Sequence, residues 1–252
     1  MLLQQKYWSL RRKILKAFVP EFIWPAETII DGVSFKIRNT PYSYGTKKCL
    51  QNGQYEVSER KLLQGKIKKG DVVIEMGGSI GVLTALLAHE AGDKGFVVSV
   101  EASRKITTYS KTWLESKGNI KVITGFAFPV FEIDKRVQLN KFDEQGGSLG
   151  GKLDFDVYDL PANGNEEPVF DIKKIMQEFH ILPSVIVADV EGSESILASI
   201  KPSFPPSVRM VLIEMHEHMY GIDIRDKIIH AVEDDGFTIT GHLDGVYLFG
   251  RA

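Results

Sequence analysis

Four apolar runs in this 252-residue chain end in groups that can do chemistry. Val72-Val73-Ile74 runs into Glu75, and Phe96–Val100 runs into Glu101. Val185–Ala188 runs into Asp189, with Glu191 two residues on, and Val211–Ile213 runs into Glu214, with His216 two residues on. Short apolar runs of this kind read as buried parallel strands. An open parallel sheet binds its ligands outside the carboxyl ends of the strands, where the strand order reverses. A carboxylate there can accept both hydroxyls of a ribose in one charge-assisted contact, which is the use expected of Glu101. Asp189 and Glu191 can take a proton, hold an acceptor, or join Glu214 around a divalent cation, and all-oxygen ligation of that kind suits magnesium or calcium. The reading adopted needs no metal. His216 is the leading candidate for a general base, since an ordinary imidazole pKa of about 6.5 suits that work at neutral pH, and Glu214 is placed to orient its ring.

A glycine turn follows the first of these runs. The stretch Glu75-Met76-Gly77-Gly78-Ser79-Ile80-Gly81 leads into the helix-like run Val82–Ala88. Strand, glycine turn and helix bring backbone amides close to a ligand at a helix N-terminus. Aligned as a dinucleotide fingerprint on Gly78 and Gly81, the turn has Met76 where the first glycine belongs. Read from its acidic residue it is Glu-x-Gly-x-x-x-Gly, which resembles the first motif of methyltransferases that use S-adenosylmethionine. In that reading Gly77–Gly81 lie against the methionine part of the cofactor, and Glu75 helps to fix its amino group, directly or through water. The third strand end, Phe126-Ala127, offers a backbone amide or a small side chain to the adenine.

The elements that must position these groups alternate. Strands at Val72–Met76, Gly95–Glu101, Ile120–Gly125, Ser184–Asp189 and Arg209–Glu214 are separated by helices at Gly81–Ala91, Ser103–Ser116, Asp171–Phe179 and Ser193–Ile200. Helix Ile222–Asp235 follows, and Phe237–Thr240 with Val246–Phe249 close the chain as an antiparallel pair around Asp244-Gly245. Alternating βα units imply an α/β fold, a mostly parallel sheet with helices on both faces. In its closing hairpin the pattern resembles the Rossmann-like seven-stranded sheet of class I methyltransferases, the fold expected here. Residues 126–168, with five glycines and three prolines, read as a β-rich insertion or lid. Residues 51–252 are taken as the catalytic domain. Residues 1–50 are an extension, a hairpin around Asp31-Gly32 preceded by a helix over residues 1–19 with Lys6, Arg11, Arg12, Lys13 and Lys16 on its polar side. A basic helix can touch a membrane surface or a partner, but packing on its own domain is the preferred reading.

A net charge of -2 gives no reason to expect nucleic acid. Cys49 is the lone cysteine, which excludes an internal disulfide and a multi-cysteine zinc site. No apolar run is long enough to cross a membrane and no leader is visible, so a cytoplasmic location is expected. A homo-oligomer remains open.

Asp189-Val190-Glu191-Gly192-Ser193-Glu194 after an apolar strand resembles the Asp-Val-Glu-Gly-Ala-Glu signature of FkbM-type methyltransferases. Gln54-Tyr55-Glu56 is similar to that family's Tyr-Glu element, Glu101-Ala102-Ser103 stands where Glu-Pro-Asn is usual, Phe170-Asp171 resembles its Leu-Asp pair, and Glu214-Met215-His216 resembles its Glu-x-His. The likeness spans roughly residues 50–250. It implies O-methylation with S-adenosylmethionine, often of a sugar hydroxyl in a polysaccharide or of a polyketide. It adds Glu56, Ala102, Ser103 and Asp189 to the expected cofactor contacts. Ser79 replaces the usual Asn, Ala102 the usual Pro, and Val187 a common Lys, the last change falling on the acceptor side. A nicotinamide-dependent sugar oxidoreductase and a non-catalytic cofactor-binding scaffold are the competing classes.

Overall fold

A computed structural model describes residues 20–133, 136–143, 152–158 and 168–251. The helix expected over residues 1–19, and the glycines at 146, 147, 150 and 151, lie outside the described residues. The chain forms two compact units, Met1–Val57 and Ser58–Ala252.

In the first unit β1 (Glu27–Ile30) pairs antiparallel with β2 (Val33–Lys36). Asp31 and Gly32 both take positive φ, 46° and 84°, the backbone that a two-residue hairpin turn requires. Helix α1 (Tyr44–Gln51), which the sequence reading does not contain, is capped by the Ser43 hydroxyl on the Thr46 amide. Lys47, almost fully buried, pairs with Glu21 at 2.6 Å.

The second unit opens with α2 (Val57–Leu63) and is built on a seven-stranded sheet. In chain order its strands are β3 (Val72–Met76), β4 (Phe96–Glu101) and β5 (Ile120–Thr124), then β10 (Val185–Ala188), β11 (Met210–Glu214), β12 (Phe237–Leu243) and β13 (Val246–Arg251). The order across the sheet is β12-β13-β11-β10-β3-β4-β5. β13 is antiparallel to both its neighbours, and the other pairs are parallel. The chain thus starts at β3, builds outward to β5, then returns to the other side of β3. The switch point lies between the carboxyl ends of β3 and β10.

Helices α3 (Val82–Ala91), α4 (Arg104–Glu115), α5 (Ile172–Phe179), α6 (Glu217–Tyr220) and α7 (Ile222–Glu233) make the crossovers and the approach to the closing hairpin. Every residue of β10 is buried, as are Val73, Ile74, Glu75 and Met76 of β3, because helices cover both faces. Ser193–Ala198 is a 3-10 helix and not the expected α-helix over 193–200. Its Ser193 and Ser195 hydroxyls bond to the carbonyls of Val190 and Gly192, competing with regular helix. Within 126–168, β6 (Phe126–Ala127) pairs in parallel with β9 (Val169–Phe170), while β7 (Arg136–Asp143) and β8 (Lys152–Tyr158) form an antiparallel ladder. Among the described residues no helix is long and apolar enough to cross a membrane.

Candidate active site at the sheet switch point

Two groups of residues meet the carboxyl ends of the central strands. The first is the turn after β3. The amides of Gly77 and Gly78 both donate to the carbonyl of Val100, which ties the turn to β4. Gly77 has φ 90°, and a β-carbon there would overlap the carbonyl oxygen of Asp189 at the end of β10. A β-carbon on Gly78 would overlap the Ser99 hydroxyl. Only glycine lets the chain pass between the two strand ends at this level. Ser79 follows with φ 46°, and its amide donates to Glu101 Oε2 at 2.9 Å. The other carboxylate oxygen, Oε1, accepts the Ser103 amide at 2.7 Å. Ser103 also caps α4. Glu101 therefore bridges the glycine turn and the start of the next helix, half-exposed at the end of its strand, with each oxygen able to accept further bonds.

Glu75 was expected to help fix a cofactor's amino group, directly or through water. It is 2% exposed and lies beneath Gly78, where its Oε2 accepts the Thr84 hydroxyl at 2.5 Å. Burial pushes its pKa up to about 7, against hydrogen bonds from Ser99 and Thr84 that pull it down. Glu75 supports the turn from inside. Ile80 is buried, Gly81 packs against Leu114, and Ala102 is half-buried against the core. The amide expected to face an adenine at Phe126 is already bonded to the Pro168 carbonyl, and the Ala127 carbonyl accepts the Ser193 hydroxyl. Both residues are part of the core, pulled in by the β6–β9 pair. Glu56, at φ 48°, belongs to the first unit.

The second group gathers on His216, which is 6% exposed. Glu194, fully buried, organises it. Its Oε1 accepts the His216 amide at 2.9 Å, pairs with His216 Nδ1 at 2.9 Å and accepts the Tyr220 hydroxyl at 3.0 Å, while Oε2 accepts the Gly192 amide at 2.8 Å. The opposite ring nitrogen, Nε2, lies 3.6 Å from Asp189 Oδ1 and 3.5 Å from Glu191 Oε2. Asp189, Glu214 and His216 each offer an atom within 4.8 Å of the others'. Glu59 of α2 is buried against Glu214, and burial pushes its pKa up to about 7, with the Glu214 charge adding to the rise. Glu191 is also raised, by burial first, with the charges of Glu214 and Glu194 adding while His216 opposes; it sits at φ 47°.

This changes the part expected of His216. Burial lowers its pKa, but the Glu194 hydrogen bond and the charges of Glu194, Glu214 and Glu191 win and carry it to about 9. At neutral pH the ring holds its proton, so it is not a ready base, and Glu194, not Glu214, fixes its orientation. Sequence reasoning missed Glu194 as a buried anchor, since an acid at the start of a helix usually serves the helix end. It missed Glu59 and Tyr220 altogether, because neither lies in a recognisable motif.

The sheet order and the closing hairpin decide the architecture. It is a Rossmann-like seven-stranded sheet with the strand order and closing antiparallel pair expected from the sequence. The family model of protein-L-isoaspartate(D-aspartate) O-methyltransferases matches residues 39–128. The protein-L-isoaspartate O-methyltransferase of Thermotoga maritima is 44% identical over 57 residues, which is 23% of this chain and 18% of that protein, so this chain spans less than a fifth of the relative. Among solved structures, the fibrillarin of Aeropyrum pernix with natively bound S-adenosyl-L-methionine is 14% identical, with a TM-score of 0.44 over 73% of this chain and 66% of that one. The M. jannaschii TYW2 in complex with AdoMet is 15% identical, with a TM-score of 0.41 over 90% and 88%.

Proposed function

We propose that this chain is an S-adenosylmethionine-dependent O-methyltransferase acting on a hydroxyl of a glycan or glycosylated small molecule. One observation carries the cofactor half of that reading: the Glu101 carboxylate spans the Ser79 and Ser103 amides beside a turn that admits no β-carbon at Gly77. Such a cradle fits a nucleoside whose ribose hydroxyls meet Glu101 and whose amino-acid part lies along the glycine backbone. The bound sulfonium supplies an already activated methyl group. The protein then has three tasks: to align an acceptor oxygen, to exclude water and to take a proton.

The acceptor half rests on charge and on the resemblance of Asp189–Glu194 and Glu214-x-His216 to the FkbM-type signature. The isoaspartyl family match ends at residue 128, well before Asp189. Beyond it, Asp189, Glu191, Glu194 and Glu214 surround a single imidazole. A carboxylate acceptor would add one more negative charge to that group, whereas a neutral hydroxyl would not. Glu191, with the most exposed side chain of those paired with His216, takes the hydroxyl proton, and His216, anchored by Glu194, faces Asp189 and Glu191 through Nε2.

The test is methyl transfer from S-adenosylmethionine to a panel of acceptors, read by mass spectrometry. Addition of one methyl group to a saccharide hydroxyl is the expected result. Transfer to an isoaspartyl peptide and to no hydroxyl acceptor would overturn the assignment.

A further inference from the structure

We propose that Asp189, Glu214 and His216 together bind one divalent cation of the first transition row, which rests on the methyl-transfer reading above in that the ion would meet the acceptor's oxygen. One carboxylate oxygen from Asp189, one from Glu214 and a ring nitrogen of His216 all lie within 4.8 Å of one another. Bonds of about 2.1 Å place two ligands of one ion roughly 3–4 Å apart, so small side-chain rotations bring the set onto a single centre. The three residues come from the ends of β10 and β11, adjacent parallel strands, and the sheet therefore fixes their spacing.

Proximity of acids is common without an ion, and the imidazole supplies the independent observation. Its side chain is 8% exposed. Nδ1 is committed to Glu194, so Nε2 is the atom turned toward the carboxylates. Its nearest carboxylate oxygens stand at 3.5 and 3.6 Å, beyond ordinary hydrogen-bond length. A ring nitrogen of a largely buried imidazole, aimed between carboxylates that stand back from it, is where an ion fits. Glu194 behind the ring completes the carboxylate–histidine arrangement that orients metal-bound imidazoles. Buried Glu59 stands behind Glu214 in the same way. An ion on Nε2 would take the place of the ring proton and offset the surplus negative charge.

The donor set narrows the ion. The sequence pointed to Asp189, Glu191 and Glu214, an all-oxygen group. The geometry exchanges Glu191 for His216, and a mixed nitrogen and carboxylate set favours manganese, iron or zinc over magnesium and calcium. Glu191 stays beside the site, able to take a proton from an oxygen held there.

The experiment is titration of the chelator-treated full chain with Mn²⁺ at neutral pH, followed by loss of the free-ion resonance signal. Wild type is expected to take up one equivalent. Glu214→Gln and His216→Gln should each weaken uptake by at least about tenfold, and His230→Ala, an exposed histidine on α7, should leave it unchanged. Calorimetry with S-adenosylhomocysteine on the same variants reports whether the fold and the cofactor cradle survive. No uptake by wild type, or equal uptake by the Glu214 and His216 variants, would overturn the proposal. Mn²⁺ uptake without S-adenosylhomocysteine binding would sink the methyl-transfer reading and leave the cation site standing.

Discussion

The cofactor cradle and the His216 cluster lie on neighbouring strand ends of one sheet, yet they satisfy their carboxylates in opposite ways. In the cradle a single carboxylate, Glu101, is met by backbone amides from Ser79 and Ser103. Its geometry follows from glycine turns and a helix start. In the cluster four carboxylates converge on one imidazole, and side chain answers side chain. The first arrangement meets its exposed carboxylate with backbone and keeps one buried acid, Glu75, beneath the turn. The second stores like charge, raises Glu59, Glu191 and His216, and leaves room for a cation to relieve it.

The sharpest way to break the cradle is to give Gly77 a side chain. Gly77→Ala meets the Asp189 carbonyl at a positive φ, so the two strand ends must separate. Chemical denaturation should show a loss of about 4 kcal/mol or more, beyond the ordinary cost of a substitution. A variant of near wild-type stability would mean that the turn is not held against β10. The corresponding blow to the cluster is Glu194→Ala, which orphans the His216 ring, the Tyr220 hydroxyl and the Gly192 amide at once. A cost of about 3–4 kcal/mol is expected, as for removal of one buried ionic partner.

The cradle has one pH-sensitive element, and it lies beneath the turn. Glu75 has a pKa of about 7 in the folded chain, raised from 4.5 by burial. Between those values the folded state holds a proton that the unfolded state has released, so stability falls as pH rises from about 4.5 to about 7. The loss is on the order of 3 kcal/mol, at about 1.4 kcal/mol per unit. Glu75→Gln should flatten that slope, and denaturation midpoints measured on both sides of the window would show it. An unchanged slope would place the titration elsewhere. The smallest effect is expected of Tyr220→Phe, which removes one of the bonds to Glu194 and should cost about 1 kcal/mol in the same assay.

The same contrast explains what could be read from the sequence. The cradle is local: Glu75 to Glu101 is one strand–helix–strand unit, and its glycines, its apolar runs and the terminal Glu101 are all visible in a single stretch. The alternation of strands and helices and the closing pair around Asp244-Gly245 were legible for the same reason. What was misread depends on direction or on distance. Glu75 lies in the right motif but faces inward to Thr84, which no spacing rule reveals. Phe126-Ala127 read as an open strand end because the pairing with Val169–Phe170, more than forty residues on, cannot be seen locally. His216 carried the right residue type for a base, but Glu194 and Glu214 converge on it only through the sheet, and their charges set its protonation.

The central claim is that the cradle holds a sulfur nucleoside through Glu101. Isothermal calorimetry of wild type and Glu101→Ala with S-adenosylhomocysteine, and with NAD as comparison, tests it most directly. Wild type should bind S-adenosylhomocysteine and not NAD, and Glu101→Ala should weaken that binding by about 2–3 kcal/mol, the scale of a lost charge-assisted pair of hydrogen bonds. Binding of NAD without S-adenosylhomocysteine, or equal affinity for S-adenosylhomocysteine in the two proteins, would contradict it.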